Sequence, residues 1–218
     1  MKHAARLLIV VLAGGLATAL GASMLGLPEF AVRLPDAVAA NIDASGVSHP
    51  VTAVLLNFRG YDTLLEVAVL LLALFGVLAL ARPTAQAAPA PAHPVLQTFA
   101  RVLVPLMVLV AGYLLWAGAH QPGGAFQAGA VLAAAGVLLG LAGLLPPWAT
   151  PNRMLRAGLV LGLAVFLAVA VAGLAQGAVL AYPPAAAGVL ILLIEAGLTL
   201  SIGLVLASLY LASAGEGP

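Results

Sequence analysis

Cysteine is absent from this 218-residue chain, and with it the disulfides, iron–sulfur clusters and thiolate metal sites that cysteine would build. Charge is scarce as well: Asp, Glu, Lys and Arg make up 7% of the residues, and Lys2 is the single lysine. Four scattered histidines show no zinc-ligand spacing, and no glycine-rich phosphate loop ends in Gly-Lys-Ser/Thr. A net charge of +1 offers no basic patch for nucleic acid. The sequence thus leads us to expect no cofactor, no metal and no catalytic residues of its own. What it has in excess is apolar surface, with 64% hydrophobic residues and a mean hydropathy of +1.18. Too little polar surface is left to wrap a soluble domain, so the expected fold is an all-α integral membrane protein.

About 20 apolar residues cross roughly 30 Å of hydrocarbon at 1.5 Å per residue. Stretches of that kind predict about six spans: Leu7–Leu27, Tyr61–Ala81, Leu96–Ala119, Gly124–Leu145, Arg156–Ala175 and Ala185–Leu211. Lys2, Arg6, Arg82, Arg101, Arg153 and Arg156 fall at one set of alternate ends, and only Arg33 and Arg59 at the other. Positive charge stays inside, which puts both termini in the cytoplasm. The first span has a rival reading as a secretory signal, with Lys2 to Arg6 before an apolar run and small residues at Gly21-Ala22-Ser23, although the uncharged run is longer than a signal needs.

Between spans two and three, four prolines and alanine filler from Arg82 to Pro94 cannot continue a helix and favour an extended spacer. The expected organisation is 2 + 4: a two-helix module over 1–82, a linker over 83–94 and a four-helix module over 95–218. The loop from Pro28 to Pro50 carries Glu29, Arg33, Asp36 and Asp43. No internal repeat links the modules, which counts against a self-contained inverted-repeat transporter.

Three places hold the polar groups that a lipid-embedded chain would otherwise exclude. In Asn57-Phe-Arg-Gly-Tyr-Asp-Thr-Leu-Leu-Glu66, helical spacing gathers Arg59, Asp62, Thr63 and Glu66 into one polar stripe if the helix runs through Gly60. Arg59 can pair with Asp62, leaving Glu66, roughly 8 Å inside the span, without an obvious partner. Alternatively, all four only cap the outer end of the helix. Deep in the last span stands Glu195, with Thr199 one turn on. A buried carboxylate there suits a proton relay or a hydrogen bond to a neighbouring helix. The third place is His120-Gln-Pro-Gly-Gly-Ala-Phe126, a turn in which Pro122, Gly123 and Gly124 permit sharp reversal before the next helix exposes its first amides. His120 can titrate near neutral pH or be an ordinary surface residue. Gly136 and Gly140, like Gly158 and Gly162, have the spacing that lets helix backbones approach closely.

The first of these segments resembles the aspartate-phenylalanine-arginine-glycine-phenylalanine-aspartate-threonine-x-x-glutamate stretch near the end of the large A subunit of Mrp-type multisubunit Na⁺/H⁺ antiporters. It is similar, too, to the equivalent small subunit of membrane-bound hydrogenases. The His120–Phe126 turn, the four spans around it and the late acid Glu195 resemble the B subunit of the same antiporters, so that Arg82–Pro94 looks like a fusion point. Asn57 stands where aspartate is usual, Tyr61 replaces phenylalanine, and Glu195 stands where aspartate is expected. The resemblance implies an accessory subunit in a bacterial or archaeal cytoplasmic membrane, partnered by the large proton-channel subunits, lipid and transported Na⁺ or H⁺. On this reading Glu66, Asp62, Arg59, Glu195 and Thr199 are ion- or proton-path candidates, and His120, Pro122, Gly123, Gly124 and Phe126 form an interface turn. The alternative is a purely structural subunit of a related machine. The main pump role is excluded, because large channel subunits use lysines in broken helices and this chain has none beyond Lys2.

Overall fold

The computed structural model describes residues 2–26, 33–80, 93–145, 152–183 and 185–214, and every regular element among them is helical. In chain order they are α1 (Lys2–Leu25), α2 (Leu34–Asn41), α3 (Pro50–Ala53), α4 (Gly60–Leu80), α5 (Pro94–Ala117), α6 (Ala125–Leu141), α7 (Arg153–Ala172) and α8 (Ala187–Ala214). Five of these are long and apolar enough to cross a bilayer: α1, α4, α5, α7 and α8. The sixth expected span corresponds to α6, which is apolar but only 17 residues long. It rises about 26 Å, because the chain leaves the helix after Leu141 and before the expected end at Leu145. The all-α membrane fold is therefore observed. The proline-rich linker expected at 83–94 lies almost wholly outside the described residues, as do Glu29 and Arg82.

Two compact units are distinguished, residues 1–37 and 38–218. In the first, α1 is apolar all round after Arg6. Within that apolar stretch the Thr18 and Ser23 hydroxyls are met by the helix itself, donating to carbonyls four residues back.

In the second unit α8 is the central helix, packed most extensively against α6 and α7 and also against α4. Its buried side chains Ile191, Ile194, Leu198 and Ile202 meet Phe166 of α7, Ala125 of α6 and Val67 of α4. A second cluster joins Leu71 and Leu74 of α4 to Leu159 and Val205. Close approach is bought with small residues. A methyl group at Gly162 would lie 2.9 Å from the Leu198 Cα, and one at Gly203 would lie 2.9 Å from the Leu132 Cβ. A Ser201 hydroxyl donates to the Leu159 carbonyl across the α7–α8 contact at 2.6 Å.

The stretch before α4, expected as a loop, is mostly short helical turns. After α2 comes a 3₁₀ turn, Ile42–Ser45, then α3, then a π-helical turn, Val54–Phe58. The Arg59 amide reaches the Val54 carbonyl five residues back, at 2.8 Å. Arg59 itself leaves the helix (φ −128°, ψ 32°), and α4 starts afresh at Gly60. The helix therefore does not run unbroken through the motif, and Arg59 is displaced from the stripe expected from a continuous 3.6-residue period.

Candidate functional site: a buried carboxylate at the start of α6

Glu195 sits in the first third of α8 and is 3% exposed. The residues before α6 explain how a carboxylate is tolerated there. Gly124 adopts φ 104°, ψ −173°, a conformation open to glycine and strained for other residues, and this turns the chain so that α6 begins beside α8. The Ala125 amide, one of the unpaired donors of the first helical turn, donates to the Glu195 carboxylate. A side chain at Gly124 would meet the Glu195 Oε1 at 2.8 Å, and one at Gly118 would meet it at 3.3 Å. The other oxygen, Oε2, has no hydrogen-bond partner among the described residues.

That oxygen belongs to a residue lining a cavity of about 30 Å³. A water-sized site needs about 10–15 Å³, so a water molecule or a dehydrated monovalent cation fits. Its wall comes from three parts of the sequence: Thr52, Leu55, Leu56 and Thr63 from the first motif region, Gly123 to Gln127 from the turn, and Glu195 with Leu198 from α8. The hydroxyls on the wall are committed to backbone carbonyls. Thr52 donates to Gly118, and Thr63 donates to Leu55 at 2.6 Å. Thr199 donates to the Glu195 backbone carbonyl at 2.8 Å and not to its carboxylate. The shared face expected of Glu195 and Thr199 thus serves the helix backbone.

The π turn is held from both sides. A π turn leaves carbonyls without their usual donors, and here the Leu55 carbonyl takes Thr63 while the Leu56 carbonyl takes the Tyr182 hydroxyl at 2.8 Å. Burial pushes the Tyr182 phenol up to about 12, so it remains a donor throughout the physiological range. Asn57 donates its side-chain amide to the Ser45 carbonyl at 3.0 Å. An aspartate at that position has no N–H to give. The Ser48 and His49 amides meet the Ala119 carbonyl at 3.3 and 3.1 Å, pinning this stretch to the α5–α6 turn. Behind Gly60 stands Leu180, held at φ 62°.

The polar stripe of the motif is split by this arrangement. Thr63 is buried and turned to the cavity, whereas Glu66 is exposed on the outer side of α4. Arg59 and Asp62 form an ion pair at side-chain exposures of 69% and 45%. Of the turn residues, Gly123, Gly124 and Phe126 line the cavity, while Pro122 is exposed. His120 is exposed beside the Trp116 ring, 6.0 Å between centroids, and Tyr113 lies 6.2 Å from Trp116 on the other side. Such an aromatic group suits a membrane interface. Sequence reasoning missed Thr52, Gln127 and Tyr182; only their polarity beside apolar runs marks them. Among the described residues no group of His, Asp and Glu side chains could hold a metal ion.

Residues 95–215, which supply α5 to α8 and Glu195, match the family described as a domain related to the MnhB subunit of Na⁺/H⁺ antiporter. The chain belongs to this MnhB-related family. No curated protein matches it. Among solved structures it is similar to a chain of the Mrp complex from Dietzia sp., with 27% identity and a TM-score of 0.68. That likeness covers 93% of this chain and 25% of the other, so this MnhB-related chain spans about a quarter of the Dietzia chain. It is similar in fold to a chain of the membrane-bound sulfane sulfur reductase, an archaeal respiratory membrane complex, with 24% identity and a TM-score of 0.69 over 96% of this chain and 98% of that one.

Proposed function

We propose that this chain is an accessory membrane subunit of a multisubunit cation/proton antiporter-type complex, and that its contribution to the ion path centres on Glu195. The observation that carries this reading is the unpartnered Oε2 of a buried carboxylate beside a cavity whose wall is built by both motifs. A carboxylate kept in a span without a cationic partner among the described residues is a costly feature, and proton or cation exchange is a use that justifies it. Glu66 and Asp62 on the outer side of α4, and Arg59 just before it, are at least partly exposed, so they join a path only where another subunit completes it. Thr199 supports the α8 backbone at the site. Both termini face the cytoplasm of a bacterial or archaeal cell, with large proton-channel subunits as neighbours and Na⁺ or H⁺ as the transported ion.

The alignment of 93% of this chain within one longer chain of an Mrp complex supports reading 1–82 and 95–218 as an A-type tail joined to a B-type module. A bracing role has its own support, because the Ala125–Glu195 hydrogen bond ties α6 to α8 whatever passes through the cavity. The subunit reading is tested by purification in a mild detergent. The chain should elute together with large multi-span subunits, and recovery as a stable monodisperse protein on its own would overturn it.

A further inference from the structure

Helix α4 has two unlike faces. Gly60, Thr63, Val67, Leu71 and Leu74 are buried. At 100° per residue, Asp62, Leu65, Glu66, Val69 and Leu72 point the other way. There Leu65, Val69 and Leu72 are 62%, 61% and 64% exposed, and Glu66 is exposed with them. Further along, Ala73 and Gly76 continue the face with small residues, and nothing stands within 4 Å of a methyl group added at Gly76. Leucine and valine on such a face suit lipid. Glu66 does not, because it is about 9 Å along the helix from Gly60, within the apolar span.

The nearest basic residue in the sequence is already engaged, since Arg59 pairs with Asp62. Among the described residues Glu66 makes no ion pair and no hydrogen bond. We propose that this face is covered by a transmembrane helix of a different polypeptide, carrying a Lys or Arg at the depth of Glu66. The carboxylate supplies the charge complement, and Ala73 and Gly76 let the partner backbone come close below it. A second copy of this chain is a poor occupant. Its Arg33 and Arg59 are paired with acids, and its other basic residues fall at the opposite set of helix ends. The proposal rests on the chain being a subunit of a larger complex.

Photo-crosslinking in native membranes tests it, with p-benzoylphenylalanine placed at Leu65 or Val69 of the assembled complex. The expected product joins this chain to one other polypeptide, through an apolar segment with a Lys or Arg within one turn of the crosslinked residue. Glu66→Lys, on an exposed face, should leave this chain folded and lower retention of that polypeptide by about tenfold or more, through like-charge repulsion. Changing the partner's basic residue to Glu should then restore retention. Crosslinks to a second copy, to this chain's own α1 or to lipid alone would overturn the proposal, as would a Glu66→Lys complex with its full set of subunits. Purification of the chain without any other subunit would instead remove the subunit reading beneath it.

Discussion

Glu195→Gln is expected to leave the complex assembled while cutting cation-coupled transport by about 100-fold or more, the lower end of what a positioned proton-transfer group contributes. The substitution keeps the volume of the side chain, and the amide oxygen of Gln can still accept the Ala125 N–H at the start of α6. The contact with Gly124 is likewise kept. Only the titratable charge is removed, so a loss of transport cannot be blamed on a lost helix contact. Glu195→Ala provides the contrast, because it strips the α6 amide of its acceptor and enlarges the cavity. Leaving a buried donor unpaired costs about 1–3 kcal/mol, so the Ala variant should also lose thermal stability. Native transport rates in an assembled Glu195→Gln complex would reduce Glu195 to a helix tie.

Gly124→Ala should damage stability and transport together. The backbone at Gly124 is held at φ 104°, where a Cβ is strained by about 1–3 kcal/mol before any contact is counted. The added methyl would also stand 2.8 Å from the Glu195 Oε1, closer than unstrained contact allows. Either α6 shifts from α8 or the carboxylate leaves its amide, and both outcomes spoil the site. Thermal unfolding of the purified complex and vesicle transport, measured on the same preparation, check this. A Gly124→Ala complex with native melting and native transport would show that the turn does not position Glu195.

Much of this architecture was legible in the sequence because lipid imposes strict terms. Uncharged apolar runs of about 20 residues cross lipid as helices, and the lone acid at 195 stands out by the cost of placing it there. The two motifs were visible as well. Their meeting was not, since Gly124 and Glu195 are 71 positions apart (195 − 124) and no local period brings a turn to the inside of a distant helix. The orientation of Asn57–Glu66 was obscured for a different reason. A π turn before α4 inserts an extra residue into the helical count, and at 100° per residue a small change of register decides whether Thr63 or Glu66 faces inward. The segment before α4 reads as a polar loop because its pairing is non-local, with Ser48, His49 and Thr52 bonded to the α5–α6 turn. The shortness of α6 is set by the turn after Leu141, although the apolar run continues to Leu145.

The central claim is that this chain takes part in ion movement, and everted vesicles from cells that make the partner subunits but lack this chain test it most directly. Adding Na⁺ to vesicles holding a proton gradient, with a pH-sensitive dye as the readout, should give no cation-driven proton movement without the chain. The native chain, resupplied, should restore it, and the Glu195→Gln chain should not. Exchange at the native rate in vesicles that lack the chain altogether would contradict the account.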